Sequence, residues 1–295
     1  MPARDYERQT VLITGASSGI GAAFARRLAA RGSGLVLVAR RRDRLESLAA
    51  ELERAHGVTV HAIAQDLGSV TAGVDLSSAV AAADLRITGV INNAGFGTFG
   101  DFVGEDPVRL AQEIAVDISA PVQITAAFLP GMVEAGEGFL INVASMAAYA
   151  PTPRMAVYGA AKAFVLSFTE SLWAETHSTG VTVFALSPGA TSTEFNAVVG
   201  TDDATAGARM RTPDNVVATA LAHLDRRNPG PSVIDGSSNR LGANVGRVMS
   251  RRGAVAMMHR LTDPARRKRP DAALGVGAAT IWADDVRAWT CSSRS

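Results

Sequence analysis

The sequence predicts an α/β protein, a doubly wound sheet of seven parallel strands flanked by helices. Three observations predict it. Short apolar runs alternate with longer helical patterns through residues 1–235. A glycine-rich turn, Thr14-Gly15-Ala16-Ser17-Ser18-Gly19-Ile20-Gly21, joins the first run to the first helical pattern. Glycine supplies 28 of the 295 residues, which suits a fold with many tight strand-to-helix turns.

The runs read as strands over Thr10–Thr14, Gly34–Ala39, Val58–Gln65, Gly89–Asn92, Gly138–Val143, Val181–Ser187 and Ser232–Ile234. Short continuous apolar runs are the mark of strands buried on both faces. Helical periods run over Ile20–Arg31, Arg41–His56, Pro107–Val133, Ala156–Ser178 and Thr212–Arg226. Strands that alternate with helices imply right-handed crossovers and a sheet covered on both sides. Residues 193–212 break the rhythm just after a strand end. A long irregular loop in that position is expected to be a substrate lid.

Charge divides the chain. The net charge is +1, so nothing global recruits nucleic acid. Residues 236–295 carry eleven Lys/Arg against four Asp/Glu, a net +7 that leaves −6 for residues 1–235. This places an expected boundary near Gly236, between a catalytic domain (1–235) and a basic extension (236–295). Within the extension, Leu241, Val245, Val248, Met249, Val255, Met258 and Leu261 alternate with Arg240, Arg247, Arg251, Arg252 and Arg260. Such a basic amphipathic stretch covers a patch of its own fold or of a partner subunit, or lies on a membrane surface; the membrane reading is not favoured. The run Arg266-Arg267-Lys268-Arg269 beyond it is expected to pack poorly.

Other classes find little support. Cys291 is the only cysteine, which fits a reducing compartment. Met1 to Thr10 has no apolar signal core, no spanning helix is expected, and the expected location is the cytoplasm. The five histidines, His56, His61, His177, His223 and His259, do not pair at ligand spacing, so no metal site is expected. No Gly-x-Ser-x-Gly elbow surrounds a serine.

The glycine turn lies between a strand and a helix. Gly15, Gly19 and Gly21 let the backbone approach a diphosphate, and Ser17, Ser18 and Ile20 stand at the free amides of the helix start. After the second strand comes Arg40-Arg41-Arg42 rather than a carboxylate for a ribose 2′-hydroxyl. A guanidinium there pairs with a 2′-phosphate, which selects NADP(H) over NAD(H), with Arg40 the main contact and Arg41 the second. Asp66, beside Leu67 at the third strand end, is placed to accept from an adenine amino group. Asn92-Asn93-Ala94-Gly95 closes the fourth strand, where open α/β sheets bind ligands. In Tyr158-Gly-Ala-Ala-Lys162 the phenol and the ammonium share a helix face, and the cation is expected to lower the phenol's pKa for proton exchange with a substrate oxygen. Ser145 precedes the tyrosine by thirteen residues.

Together, Thr14-Gly15-x-x-x-Gly19-x-Gly21, Asn92-Asn93-Ala94-Gly95, Ser145, Tyr158-x-x-x-Lys162 and Pro188-Gly189 resemble the classical short-chain dehydrogenase/reductases over about residues 8–235. The resemblance implies a Rossmann-like fold, a nicotinamide cofactor, and hydride transfer between nicotinamide C4 and a carbonyl or secondary alcohol. It implies Tyr158 as general acid/base, Lys162 as its tuning group and ribose ligand, and Ser145 as the carbonyl's hydrogen-bond donor. It implies Asn93, Ala94 and Gly95 along the adenosine ribose, and Pro188, Gly189, Thr191 and Thr193 at the nicotinamide end. It also implies a homodimer or homotetramer and a small-molecule carbonyl/alcohol substrate. Tyr149, Pro151, Met155 and Phe195 bracket the expected cleft. One position departs from the family: Asp117 stands where a catalytic asparagine is usual. Two alternatives stay open, the same chemistry on lipid or acyl substrates at a membrane, and a non-catalytic NADP-binding sensor.

Overall fold

All seven strands form one sheet in the computed structural model, which describes residues 5–205, 208–248 and 250–263. They are β1 (Thr10–Thr14), β2 (Gly34–Ala39), β3 (Val60–Ala64), β4 (Gly89–Asn92), β5 (Gly138–Val143), β6 (Val181–Ser187) and β7 (Ser232–Ile234). The order is β3-β2-β1-β4-β5-β6-β7, parallel throughout. The chain reverses its direction of winding between β1 and β4. The crevice at that reversal, outside the strand carboxyl ends, is where such sheets take ligands.

Alternate strand residues feed two cores. Val11 and Ile13 of β1 pack on one face with Phe24, Leu28, Leu45, Phe139 and Phe184. Leu12 faces the other way, with Val36, Leu76, Val90, Ile124 and Leu140. These side chains are all fully buried or nearly so, each stabilising the fold by about 2 kcal/mol.

The helices are α1 (Gly19–Ala29), α2 (Arg42–His56), α3 (Ala72–Ala82), α4 (Pro107–Ile114), α5 (Ala120–Ala135), α6 (Ala156–Thr176), α7 (Phe195–Val199), α8 (Pro213–Leu224), α9 (Ser237–Val248) and α10 (Arg251–Leu261). Local chemistry sets several starts. Asp106 caps α4 through the Val108 amide and Thr212 caps α8 through the Asn215 amide, each with proline as the first helical residue.

Within the sheet-and-helix layers and the lid, four elements differ from the sequence expectation. The third strand is shorter, Val60–Ala64, with Thr59 and Gln65 at its two ends making the last backbone hydrogen bonds to β2. Helix α3 was not expected; its alanine- and serine-rich sequence has little amphipathic contrast. The helix expected over Pro107–Val133 is broken by a π-helical turn at Ala115–Ser119. Pro121 explains it: proline cannot donate to the Asp117 carbonyl four residues earlier, and its ring forces the turn to widen. The lid of residues 193–212 contains the short helix α7.

By length and composition Pro107–Ala135 could cross a membrane, a property not anticipated from the sequence. Its segments pack on α3 and α6 within the α/β layers. The expected tail helix is two helices, the second capped by Ser250 through the Gly253 amide. Residues up to Thr262 fall in one compact unit, so α9 and α10 belong with the sheet. The basic run at residues 266–269 lies outside the described residues.

Candidate active site

The glycine turn is built for close approach. Gly15 and Gly19 have φ of +65° and +56°, where glycine is favoured. A Cβ at Gly21 would overlap the Gly15 carbonyl, and one at Gly19 would lie 3.0 Å from Thr193 Cγ2. No side chain caps α1, so its first amides are free for an anion. The turn is pinned to β4 by Thr14, whose hydroxyl accepts from the Asn93 and Ala94 amides at 2.9 and 3.0 Å. Asn93 Nδ2 donates back to the Thr14 carbonyl at 2.9 Å. These features fit a dinucleotide diphosphate.

The two arginines after β2 part company. Arg40 is exposed and, among the described residues, has no ion pair. Arg41 donates to Ser17 and Ser18 at 3.0 and 3.1 Å and to Glu194 at 2.8 Å. Arg44 holds the other Glu194 oxygen at 2.5 Å. These two guanidinium groups push the Glu194 carboxyl down to about 2. A clasp thus ties the start of the lid to the cofactor turn. The far end of the lid is anchored by Arg211, bonded through two nitrogens to the buried Asp235 carboxylate at the end of β7. Asp66 accepts from the Gly68 amide at 3.0 Å, and Leu67 beside it is buried. The Pro188 carbonyl accepts from the Met146 amide, linking the segment after β6 to the Ser145 turn. Thr191 donates to the Gly189 carbonyl, and Thr193 accepts from the Phe195 amide. Asn239 of α9 closes over Gly189, a neighbour the sequence did not reveal.

Ser145, Tyr158, Lys162 and Asp117 come together. The Ser145 hydroxyl, which accepts from the Ala147 amide at 3.1 Å, lies close enough to the Tyr158 phenol to pull its pKa down. Lys162 Nζ lies 5.5 Å from the Tyr158 ring centroid and 2.9 Å from Asp117 Oδ2. Asp117 is 1% exposed and Lys162 5%. The Asp117–Lys162 contact is an ion pair rather than a well-aligned hydrogen bond. Asp117 Oδ1 accepts from the Phe96 amide at 3.0 Å. A Cβ at Gly95 would meet Asp117 Oδ2 at 2.9 Å and Lys162 Nζ at 3.0 Å, so only glycine leaves room for the pair. Asn92, Asn142 and Thr169 form a buried chain of side-chain hydrogen bonds behind it.

The protonation states follow from burial and charge. Tyr158 is half-buried, and desolvation of its phenol raises the pKa; Lys162 and Ser145 pull it down, while Asp117 and Glu113 push it up, and the net direction is upward. From the sequence the cation was expected to dominate; desolvation of the phenol outweighs it here. A phenol held above its ordinary value is protonated at neutral pH. Burial opposes the charge on Lys162, yet Asp117, Tyr158 and Glu113 together raise its pKa. Burial also raises Asp117 against the pull of Lys162 and the Phe96 amide. The two shifts favour opposite charge states for the pair. At 2.9 Å from an ammonium the carboxylate is the form held, and its raised pKa makes it a ready proton acceptor.

The apolar wall is partly in place. The Tyr158 and Phe195 rings lie 5.3 Å apart, and Gly97 sits against Tyr158, Met155 and Phe195. Tyr149 is turned to Ser187, with the hydroxyls 3.3 Å apart. Two acidic residues at the site could not be picked out from the sequence either. Glu194 lies in an aperiodic stretch that carries no signal. Glu113 is fully buried one helical turn before Asp117, and that four-residue spacing was its only sign.

Such a fold, with a glycine turn at the switch point and a Ser-Tyr-Lys cluster beside it, defines a nicotinamide-dependent oxidoreductase acting on CH–OH or C=O groups. The chain belongs to the short chain dehydrogenase family, whose sequence pattern matches residues 9–204. It is 38% identical over 219 residues to sulfoacetaldehyde reductase 2 of Chromohalobacter salexigens, covering 72% of this chain and 85% of that protein. A short-chain dehydrogenase from Sphingobium yanoikuyae, solved in complex with NADPH, is 37% identical with a TM-score of 0.73, over 84% of this chain and 95% of that one. The bulky-bulky ketone specific alcohol dehydrogenase of Comamonas testosteroni is 30% identical with a TM-score of 0.70, over 85% and 94%.

Proposed function

We propose that the protein is an NADPH-dependent carbonyl reductase in which Tyr158 delivers the proton to the substrate oxygen. The observation that carries this reading is the Ser145–Tyr158–Lys162 cluster, with Lys162 beside Gly95 in the segment after β4 that also holds the glycine turn through Asn93. The NADPH-bound relative and the ketone-specific relative support it. When bound, the cofactor supplies a hydride to the carbonyl carbon. Ser145 donates a hydrogen bond to the carbonyl oxygen and orients it. Tyr158, kept protonated by its burial, gives its hydroxyl proton to that oxygen as charge develops. Lys162 stabilises the phenolate that remains. Arg40 supplies the positive charge for a 2′-phosphate, and Gly15, Gly19, Gly21 and the α1 amides take the diphosphate. Asn93, Ala94 and Gly95 border the adenosine ribose, while Pro188, Gly189, Thr191 and Thr193 hold the nicotinamide end. Phe195 and Met155 give the cleft an apolar wall, which suits a partly apolar ketone or aldehyde.

NADPH oxidation across a panel of ketones and aldehydes tests the reading. Turnover with the wild type, abolished by Tyr158→Phe without loss of NADPH binding, is the expected result. Tight NADPH binding with no turnover on any carbonyl would instead make the protein a cofactor-binding sensor.

A further inference from the structure

Arg211 closes the neck of the lid. Its amide donates to the Ala190 carbonyl at 2.9 Å, and its carbonyl accepts from the Ser192 amide at 2.8 Å. The two bonds straddle Thr191, which pairs with Arg211 as an isolated parallel bridge. The bridge thus holds a stretch that has already left the sheet at the end of β6. The side chain of the same residue reaches back to the sheet. Its Nε and one terminal nitrogen hold the two carboxylate oxygens of Asp235, the terminal nitrogen at 3.0 Å. The Asp235 side chain is 0% exposed. Asp235 follows β7, and its amide donates to the carbonyl of Ser187, the last residue of β6, at 3.1 Å. Its carboxylate also accepts from the Thr219 hydroxyl of α8 at 2.6 Å. Its carbonyl accepts from the Asn239 side chain of α9 at 2.7 Å, and a Cβ at Gly189 would overlap that same Asn239 amide. Arg211 and Asp235 therefore frame the stretch from Gly189 to Ser192 from both ends. A buried ion pair adds little net stability, because both charges lose water. What a guanidinium forked on a carboxylate does supply is one fixed geometry.

We infer that Arg211 is a positioning residue which, through Asp235, fixes the nicotinamide end of the cofactor relative to Ser145 and Tyr158. The inference rests on the assignment of Pro188, Gly189, Thr191 and Thr193 to the nicotinamide end proposed above. Hydride transfer is sensitive to placement, and a shift of about 1 Å can cost about a hundredfold in rate. The stretch that would hold the nicotinamide has two ties. At its start the Pro188 carbonyl accepts from the Met146 amide at 2.9 Å, which joins it to the Ser145 turn. At its other end the tie is the Arg211 bridge, and behind that the buried Asp235 carboxylate. The two ends of the lid are held differently. Glu194 meets Arg41 and Arg44 on the surface, where solvent weakens the pairs. Arg211 ends on a carboxylate shut away from solvent. The surface end of the lid can therefore shift over a substrate while Thr191 stays bridged to Arg211.

Two variants of the full chain test the inference, with NADPH and 2′,5′-ADP as probes. Arg211→Lys keeps the charge but loses the fork. Arg211→Met also removes the charge and leaves Asp235 buried without a cation; should it fail to fold, Arg211→Lys alone decides. The readouts are the emission anisotropy of the bound dihydronicotinamide, the Kd of each probe, the melting temperature, and kcat against KM. In Arg211→Lys the anisotropy of bound NADPH should fall, because the ring is less firmly held. Its Kd should rise about fivefold, while that of 2′,5′-ADP, which carries only the adenosine half, stays within about twofold. For carbonyl reduction kcat should fall about tenfold with little change in KM. An anisotropy equal to that of the wild type overturns the inference. So does an equal loss of affinity for both probes together with a lower melting temperature, which would show general loosening of the fold. A wild type that reduces no carbonyl sinks the reductase reading instead; the anisotropy is read without turnover and still decides the positioning role.

Discussion

Asp117 Oδ2 and Lys162 Nζ are paired at 2.9 Å in the interior, at the position where the family usually has an asparagine. The pair changes what Lys162 can do to Tyr158. Asp117 raises the pKa of both Lys162 and Tyr158, so it offsets part of the pull that the ammonium exerts on the phenol. Asp117→Asn removes that push. Both groups should titrate lower, and the rise of kcat/KM for alcohol oxidation should move to lower pH. The same change leaves the Lys162 ammonium buried without its counter-ion, at a cost of about 3 kcal/mol in unfolding free energy. A pH–rate profile that does not move would remove Asp117 from the catalytic group.

The arginines after β2 should separate under mutation. Arg40 is free to meet a 2′-phosphate, while Arg41 is committed to Ser17, Ser18 and Glu194. Arg40→Ala should raise the Kd for NADPH about thirtyfold, equivalent to about 2 kcal/mol for a charged hydrogen bond, and leave NADH unchanged. Arg41→Ala should weaken both cofactors alike, because it loosens the turn and the lid rather than a phosphate contact. Fluorescence titration with each dinucleotide distinguishes the two. Equal effects of Arg40→Ala on NADPH and NADH would end its assignment to the 2′-phosphate.

What was legible in the sequence is what backbone geometry dictates. Gly15, Gly19 and Gly21 were visible because a left-handed φ or a close carbonyl leaves little else that fits. Tyr158 and Lys162 were visible because four residues on a helix set one face. Glu113 was not, because a glutamate in an amphipathic helix reads as a solvated residue. Its burial comes from the loop after β4, where Thr98 lies against it. The break after Ile114 was hidden because a π-helical turn barely disturbs the apolar period, although Pro121 in the same stretch was its physical cause. The clasp of Glu194 on Arg41 and Arg44 joins residues 153 and 150 positions apart, a distance no local pattern spans.

Phe195 should act on both substrate and proton. Its ring covers Tyr158 at 5.3 Å, and burial is the main reason the phenol's pKa stands high. Phe195→Ala admits water, so the Tyr158 pKa should fall. KM for an apolar ketone should rise by about tenfold, near the loss of one apolar contact surface, while a small polar aldehyde is less affected. Steady-state kinetics with the two substrates over a range of pH read both effects. Equal KM changes for both would show that Phe195 is lid packing only.

Glu113 and Glu194 give opposite signs to the pH dependence of stability. Glu113 titrates at about 7 in the folded chain against an ordinary value of 4.5. Between those values the folded state binds more protons than the unfolded one, so stability is highest below pH 4.5 and falls as pH rises to 7. The fall attributable to this group is about 3 kcal/mol. Glu194 is lowered to about 2, so its contribution is present above the ordinary carboxylate range and is lost only on acidification. It is also well exposed, and solvent and salt screen it. Around neutrality the buried acid should therefore dominate. Denaturant unfolding at pH 5.5 and pH 8 should show a less stable protein at the higher pH, and Glu113→Gln should flatten that difference. Glu194→Gln should leave it intact. A wild type equally stable at both values would mean that Glu113 does not change charge between them.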